Sequence, residues 1–449
     1  MINIPSKCRF VFEKLTNSGF KCFAVGGCVR DSIMGIEPKD WDFTTDATPD
    51  EISAVFKDFR LIEIGKKYGT ICVVCGDDSF EITTFRRDGD YSDNRHPDCV
   101  HFSSDICDDL SRRDFTMNSI AYSDTLGFVD SFGGTDDIKN RLIRCTGEPA
   151  VRFQEDALRI LRALRFASVL GFKIEKNTSE AIFACKDNLK SVHPHRMRKE
   201  LSGLLMGKYA FNVLSEYSQV IAVIIPEILP MLDCIQNNPH HKYDVWHHTL
   251  HALNFAPADE IVRLSVFFHD IGKPHVKTTD VKGVDHFKLH QIKSTEIAHN
   301  VLSRFGYPAK TISDVKLLVR YHDERFRKQD ESIKKILSII GKDLIESLFV
   351  ISECDLLAQS EYKHTEKINH LKFIKARTKS IIDKDECFSL SQLKIKGDDL
   401  LSIGYKGKEI GMVLSKLLRL VIKGKLDNNK IELINAAKEI NVDLLPIDK

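Results

Sequence analysis

Near residue 150 the hydrophobic pattern of this chain changes period, and that change limits what it can fold into. Before it, short apolar runs are punctuated by Gly, Asp and Pro, the pattern of strands joined by tight turns. After it, apolar residues recur at three- and four-residue spacing, the pattern of helices with one buried face. A chain of 449 residues is also too long for one ordinary core. The reading is α+β: a small mixed-sheet head followed by an all-α body and tail. The pattern predicts a helix over residues 6–18 and strands over 21–25, 41–45, 60–64, 70–75, 79–85, 119–122 and 127–130. Candidate boundaries fall near Gly147-Glu148-Pro149, near Asn237-Asn238-Pro239 and near residue 360.

Bulk properties exclude some classes. A 43% apolar and 29% charged composition fits a globular protein. The net charge of +1 carries no global nucleic-acid signature, so an RNA site must be a local basic surface. Such runs occur at Arg196, Arg198 and Lys199, and at Lys394, Lys396, Lys406 and Lys408. No apolar run is long enough to span a membrane, and no charged-then-apolar leader is seen, so no membrane partner and a cytoplasmic location are expected. The twelve cysteines lack zinc-like spacing. Cys72 and Cys75 sit in an apolar run and read as core, with the thiols reduced.

Two motifs in the head carry chemistry. Gly26-Gly27-Cys28-Val29-Arg30-Asp31 follows a strand-like run and precedes Asp40-Trp41-Asp42. Paired glycines admit phosphate oxygens close to the backbone, and an arginine can clamp them. Alternation places Asp40 and Asp42 on one side of a strand with Trp41 on the other. Two carboxylates on one face form a hard-oxygen site for Mg²⁺, which is commonly shared with substrate phosphates. In the second motif, Arg112-Arg113-Asp114-Phe115-Thr116-Met117-Asn118, adjacent arginines suit a triphosphate.

A third motif lies at the start of the body. In Glu155-Asp156-Ala157-Leu158-Arg159, continuing through Arg162 and Arg165, one helix would carry Asp156, Arg159, Arg162 and Arg165 on a single arc. Asp accepts from an exocyclic amine and Arg donates to ring acceptors, so such an arc can read a nucleobase edge.

Together these motifs resemble the bacterial class II branch of tRNA nucleotidyltransferases, the CCA-adding enzymes and their poly(A) polymerase relatives. GGxVRD, DxD, RRDFTxN and EDxxR stand in order, densely over residues 20–170. A weaker likeness continues at Ile395–Leu400 and Gly407–Gly411. The resemblance implies Gly27 and Arg30 at the triphosphate, and Asp40 and Asp42 holding catalytic Mg²⁺. It implies Arg113, Arg162 and Arg165 on phosphate or sugar, and Asp156 and Arg159 reading CTP or ATP. Glu81 is the candidate third carboxylate. Lys67-Tyr68-Gly69-Thr70-Ile71 favours the CCA-adding type. Residues 86–97 look like the family's flexible loop at full length, with His96 where many members have Arg.

The implied activity is template-independent addition and repair of the tRNA 3′-terminal CCA by metal-assisted in-line transfer, with pyrophosphate leaving. Poly(A) polymerase activity is the nearest alternative. The implied parts are a head over 1–145, a helical neck over 146–235, an HD-type region over 236–360 and a tRNA-binding tail over 361–449.

The HD-type region rests on its own residues. His248, His269-Asp270 in His269-Asp270-Ile271-Gly272-Lys273-Pro274, and Asp355 follow the H…HD…D pattern. They resemble the HD superfamily of metal phosphohydrolases, which implies a transition-metal site there. A metal-dependent phosphohydrolase is therefore the rival function. His290 and His322 lie on helical segments in plausible places for the same metal chemistry.

Overall fold

The computed structural model describes residues 2–89, 91, 97–324 and 326–441. Contacts divide the chain into two compact units, residues 1–226 and 227–449.

The first unit begins with a helix, Ser6–Asn17, whose buried face is Cys8, Val11, Phe12 and Leu15. The strands that follow are β1 (Cys22–Val25), β2 (Asp42–Thr45), β3 (Arg60–Ile62), β4 (Thr70–Cys75), β5 (Asp78–Thr84), β6 (Arg86–Asp88), β7 (Val100–Phe102), β8 (Ala121–Ser123) and β9 (Gly127–Val129). Seven of them form one mixed sheet in the order β3-β4-β5-β2-β1-β8-β9. The β6 and β7 strands form a separate antiparallel pair. The β2–β5 pairing is parallel, and its register sets Asp42 beside Glu81. Directly paired residues point to the same face of a sheet, so these two carboxylates project together. The opposite face is filled by aromatics: Phe43 meets Phe12 at 5.3 Å and Phe80 at 6.1 Å between ring centres.

The body of this unit is helical, as the period change requires. Pro149–Glu155 and Leu158–Leu170 are successive helices, and Pro194–Met206 packs on the second. Ile160, Leu161, Ala163 and Leu164 are buried, the three-and-four spacing made physical. A two-residue strand at Leu142–Ile143 pairs in parallel with Lys173–Ile174, an element too short for the pattern to show.

The second unit is built from helices. Val245–Phe255, Glu260–Phe268, His290–Arg304, Ala309–Tyr321 and Ile345–Ala358 surround a buried group of histidines and aspartates. Towards the end of the chain, Leu393, Ile395, Leu400, Val413, Leu417 and Leu433 form a separate apolar cluster. No helix among the described residues is long and apolar enough to cross a membrane.

Candidate nucleotidyl-transfer site and a histidine-aspartate centre

Asp40 and Asp42 are exposed and Trp41 between them is 6% exposed. The alternation is the expected one, although β2 begins only at Asp42. Asp42 titrates above the ordinary carboxylate value. Partial burial is the main cause; the negative charges of Glu81 and Asp40 add to it, and Arg113 opposes it. A carboxylate crowded by two others is a group whose charge a divalent cation relieves, so these residues fit a hard cation. The three are not drawn together, however. Among the described residues, the groups whose ligand atoms lie within 4.8 Å of one another are both in the second unit.

Gly26 closes the turn from β1 into the helix Gly27–Ile33 at φ 81°, a left-handed region that disfavours side chains. A Cβ there would also sit 3.0 Å from Arg113 Nη1. Arg113 donates from Nη2 to Asp109 Oδ2 at 3.1 Å, while its buried Nε has no hydrogen-bond partner. Buried donors are nearly always satisfied, so this N–H marks a place for an acceptor. Asp109 is fully buried and holds Arg112 as well, by Nε at 2.9 Å. Burial works against the charge of Asp109, yet the two guanidiniums keep its pKa below the ordinary value. One buried carboxylate thus fixes both arginines of the motif. Arg113 faces Gly26 and Asp42, while Arg112 lines a cleft of about 320 Å³.

That cleft is also lined by Asp156, Arg159, Tyr68, Thr70, Arg86, Asp88 and Tyr91. Tyr91 donates to Asp88 Oδ2 at 2.7 Å, and Asp88 pairs with Arg86. Asp90, Ser92, Asp93, Asn94, Arg95 and His96 of the expected flexible loop lie outside the described residues.

Asp156 and Arg159 do not share a helix arc as the spacing predicts. Asp156 has extended dihedrals, φ −147° and ψ 102°, and separates two helices. Its Oδ1 accepts from Leu158 N–H at 3.1 Å, the capping role that Asp performs at a helix start. Its Oδ2 accepts from Arg196 at 2.8 Å. Arg196 had been read as part of a basic surface run; here it holds a pocket carboxylate. Arg159 donates instead to the carbonyls of Arg152 and Arg112, both at 3.2 Å, and pairs with Glu155.

The remaining arginines join one network. Arg30 is only 8% exposed and donates to Asn118 at 2.7 Å and to Asp31. Asn118 donates to Asp114 Oδ1 at 3.0 Å, and Arg162 donates to Asp114 Oδ2 at 2.7 Å. Arg165 donates to Glu200 at 2.6 Å. Arg30, Arg162 and Arg165 also lie over the ring of Phe166, at 5.1, 5.5 and 4.2 Å from its centre. Asn118, Asp109, Glu200 and Phe166 were not singled out from the sequence. Asn118 reaches Arg30 and Glu200 reaches Arg165 from far along the chain, pairs that local spacing does not signal, whereas Asp109 holds Arg112 and Arg113 at helical i,i+3 and i,i+4 spacing.

In the second unit, His248 Nε2 lies 2.8 Å from Asp355 Oδ1 and 3.5 Å from Asp270 Oδ2. His269 Nε2 lies 3.2 Å from the same Asp270 oxygen. The four H…HD…D residues therefore meet, as one of the two groups with metal-ligand spacing. His269 Nε2 is buried without a hydrogen-bond partner, while Asp270 Oδ2 pairs with Lys273 Nζ at 2.6 Å. The orphaned imidazole nitrogen, beside the carboxylates of Asp270 and Asp355, fits a transition metal. Burial opposes the charge on Asp270, but His269 and Lys273 hold its pKa well below the ordinary value. His241, unnoticed in the sequence, stacks edge-on against His248 at 4.9 Å. Burial first, then Lys273 and His248, push its pKa down to about 2, so the ring is neutral.

Three family models match successive parts of the chain. Residues 22–144 match the family model described as the Poly A polymerase head domain. Residues 171–232 match the probable RNA and SrmB-binding site of polymerase A, and residues 241–371 match the HD domain. A CCA-adding enzyme of Oceanobacillus iheyensis is 30% identical over 436 residues, 96% of each chain. The chain belongs to the CCA-adding enzyme family. A CCA-adding enzyme of Staphylococcus epidermidis is 45% identical over 214 residues, and there the match spans about half of each protein, 47% of this chain and 53% of the relative. The crystal structure of the Bacillus stearothermophilus CCA-adding enzyme in complex with CTP superposes with a TM-score of 0.71 at 25% identity, over 97% of this chain and 98% of that one.

Two predictions follow from the electrostatics of the first unit. Asp114 is 9% exposed, and burial opposes its charge, but Arg162 and Asn118 hold its pKa below the ordinary value. Its contribution is therefore full above the unfolded value, ~3.9, and is lost as pH falls through the folded one. Asp114→Ala leaves Arg162 and Asn118 unpaired and is expected to cost about 3–5 kcal/mol at pH 7, read by urea unfolding, with the deficit shrinking in acid. A deficit unchanged between pH 7 and pH 3 would contradict the assignment. Asp42 has the opposite sign. Its raised pKa means that its charge opposes folding above ~3.9. Without divalent metal, Asp42→Asn should melt higher than the parent at pH 7.5 and alike at pH 3. A variant that melts lower at pH 7.5 would remove the carboxylate cluster from this account.

Proposed function

We propose that this chain adds and repairs the 3′-terminal CCA of tRNA, using CTP and ATP and releasing pyrophosphate. The observation that carries the reading is the placement of the two arginines held by Asp109. Arg113 sits beside the carboxylate face of the sheet, and Arg112 lines the cleft that contains Asp156 and Arg159. One buried carboxylate so ties a phosphate-binding end to a base-binding end. The named activity of the relatives supports the same reading.

In this mechanism Asp40 and Asp42, with Glu81 beside them, would hold Mg²⁺, which when bound would supply Lewis-acid stabilisation of the transferring phosphoryl group and activation of the RNA hydroxyl. Arg113 and the glycine turn receive the triphosphate. The unmet Nε–H of Arg113 offers a donor to an anion, and glycine at position 26 keeps a side chain from crowding Arg113 Nη1. Arg30, Arg162 and Arg165 already have carboxylate or amide partners: Arg30 and Arg162 hold the helix Leu158–Leu170 against the head, and Arg165 holds it to Glu200 of the helix Pro194–Met206. Asp156 and Arg159, though engaged with Arg196 and with the Arg152 and Arg112 carbonyls, line the cleft and would share an acceptor and a donor with a base edge there. A base that leaves such groups unpaired loses about 1–3 kcal/mol per group, which suits CTP and ATP over UTP and GTP. The helical neck over 146–235 and the tail over 361–449 are assigned to tRNA in this reading.

The test is incorporation of labelled nucleotides onto tRNA transcripts lacking CCA, lacking A, or complete. Ordered addition of C, C and A that then stops is expected. Asp40→Ala and Asp42→Ala should each lower the rate by roughly 10³-fold or more, the equivalent of several kcal/mol. Long A tails would overturn the reading in favour of poly(A) synthesis. No incorporation by the parent protein would overturn nucleotidyl transfer itself.

A further inference from the structure

The break between the first two neck helices borders a hollow that reading of the incoming base does not use. The helix Pro149–Glu155 stops, Asp156 leaves the helical conformation, and the next helix begins at Leu158. Two cavities meet this break. One is the cleft with Asp156 and Arg159. The other, about 420 Å³, is lined by Gln154, Ala157, Asp187, Asn188, Lys190 and Ser191. The consecutive residues Asp156 and Ala157 therefore open onto different hollows. The second wall of the new one is the short 3₁₀ helix Lys186–Ser191. Ala157 is 1% exposed, and its methyl group leaves depth that a longer side chain would fill.

The lining is polar and its charge is balanced. Lys190 Nζ lies 2.6 Å from Asp187 Oδ1, so the groove's cation is met by its own carboxylate. A triphosphate, with its several negative charges, finds no matching cluster there. The side-chain amides of Gln154 and Asn188 are exposed and take no partner among the described residues. Each offers a donor and an acceptor, the pair that bonds a base edge. Around the groove, residues 186–199 carry Lys186, Lys190, Arg196, Arg198 and Lys199 against Asp187 as their one acid. That excess draws a phosphodiester chain to the groove without placing net charge inside it. The volume lies within the range of small-ligand sites, about 300–1,000 Å³. A neutral, amide-lined hollow in a basic surround fits a nucleoside held on a polyanionic strand, and unpaired RNA presents its bases in this way.

We propose that this groove holds one unpaired nucleotide of the RNA substrate, upstream of the 3′-hydroxyl that reacts, with Gln154 and Asn188 bonding its base edge. The break at Asp156 then serves both reactants. Asp156 meets the incoming nucleotide, while Gln154 and Ala157, on either side of it in the chain, meet the RNA. This site rests on the CCA-addition reading for the identity of the RNA, and it narrows the tRNA surface of the neck to named residues.

The test is binding, read without catalysis, by fluorescence anisotropy of 5′-labelled tRNA transcripts on the full chain. One transcript lacks only the terminal A and ends in unpaired residues; the other is trimmed to a blunt stem. The parent is expected to bind the first more tightly. Gln154→Ala with Asn188→Ala should weaken the first about tenfold, the loss of two neutral hydrogen bonds, and leave the second unchanged. In the incorporation assay the same variant should raise KM for the first transcript by the same factor, with kcat and the KM for ATP unchanged. Equal weakening of both transcripts, or of neither, would overturn the proposal. In the parent, 4-thiouridine in the unpaired end should crosslink to residues 186–191, and absence of that crosslink would overturn it even where the variant fails to fold. Groove-dependent binding without incorporation would remove the CCA-addition reading alone. Incorporation without groove dependence would remove this site alone.

Discussion

The buried charge of Asp114 is the constraint on which the first unit depends. An ionised carboxylate away from water is tolerated only when it is paired and hydrogen-bonded. Asp114 meets that condition by taking partners from two separate parts of the chain: Asn118 from its own motif and Arg162 from the body helix. Asn118 passes the connection on to Arg30 behind the glycine turn. The three sequence motifs are therefore close in space because each supplies a member of one polar chain. Phe166 adds an apolar floor that three guanidiniums cover, with Phe115 edge-on at 5.9 Å. Arginine suits this role, since its planar head can stack and donate in its own plane at once.

The same requirement sorts the arginines. From the sequence, Arg30, Arg113, Arg159, Arg162 and Arg165 look equally available to a nucleotide. In the structure each of them already has a partner within the fold, and Arg113 is the one of the five with a buried N–H left unmet. A group that is held but incompletely satisfied is where a ligand gains most, because binding removes a desolvation cost that the protein already bears. The neighbouring carboxylates repeat this with opposite sign. Asp42 is held at an elevated pKa beside Glu81 and Asp40, which is unfavourable until a cation arrives.

How much of this was legible in the sequence follows from the range of each interaction. The helix Ser6–Asn17 and the seven sheet strands lie within a few residues of their expected places, because period and turn residues are local signals. The β6–β7 pair was missed, since its strands are short and separated by a long segment rich in Gly, Asp and Asn. The break at Asp156 was missed for a different reason. Ala157, Ile160, Leu161 and Leu164 continue the helical period up to it, and period cannot report a cap. Asp109 and Glu200 stand outside every sequence motif, and Arg196 reads as part of a basic surface run, until the fold brings them to the site.

The second unit shows the converse, a site whose orientation is written locally. His269, His290 and His322 each bond through Nδ1 to the carbonyl three residues earlier, at Val266, Phe287 and Val319. Val266 and Val319 lie in the last turns of their helices, where carbonyls have no intrahelical N–H to accept from. The helix end thus finds a donor, and the ring is fixed with Nε2 facing inward. Only the convergence on Asp270 needs tertiary structure. A histidine just past a helix end, three residues from a free carbonyl, comes preset for a cation before the core forms. Of the H…HD…D residues His269 carries this anchor, while the pattern itself was read from its resemblance to the HD superfamily. The arginines of the head have no such local anchor, and their roles became visible only with their partners.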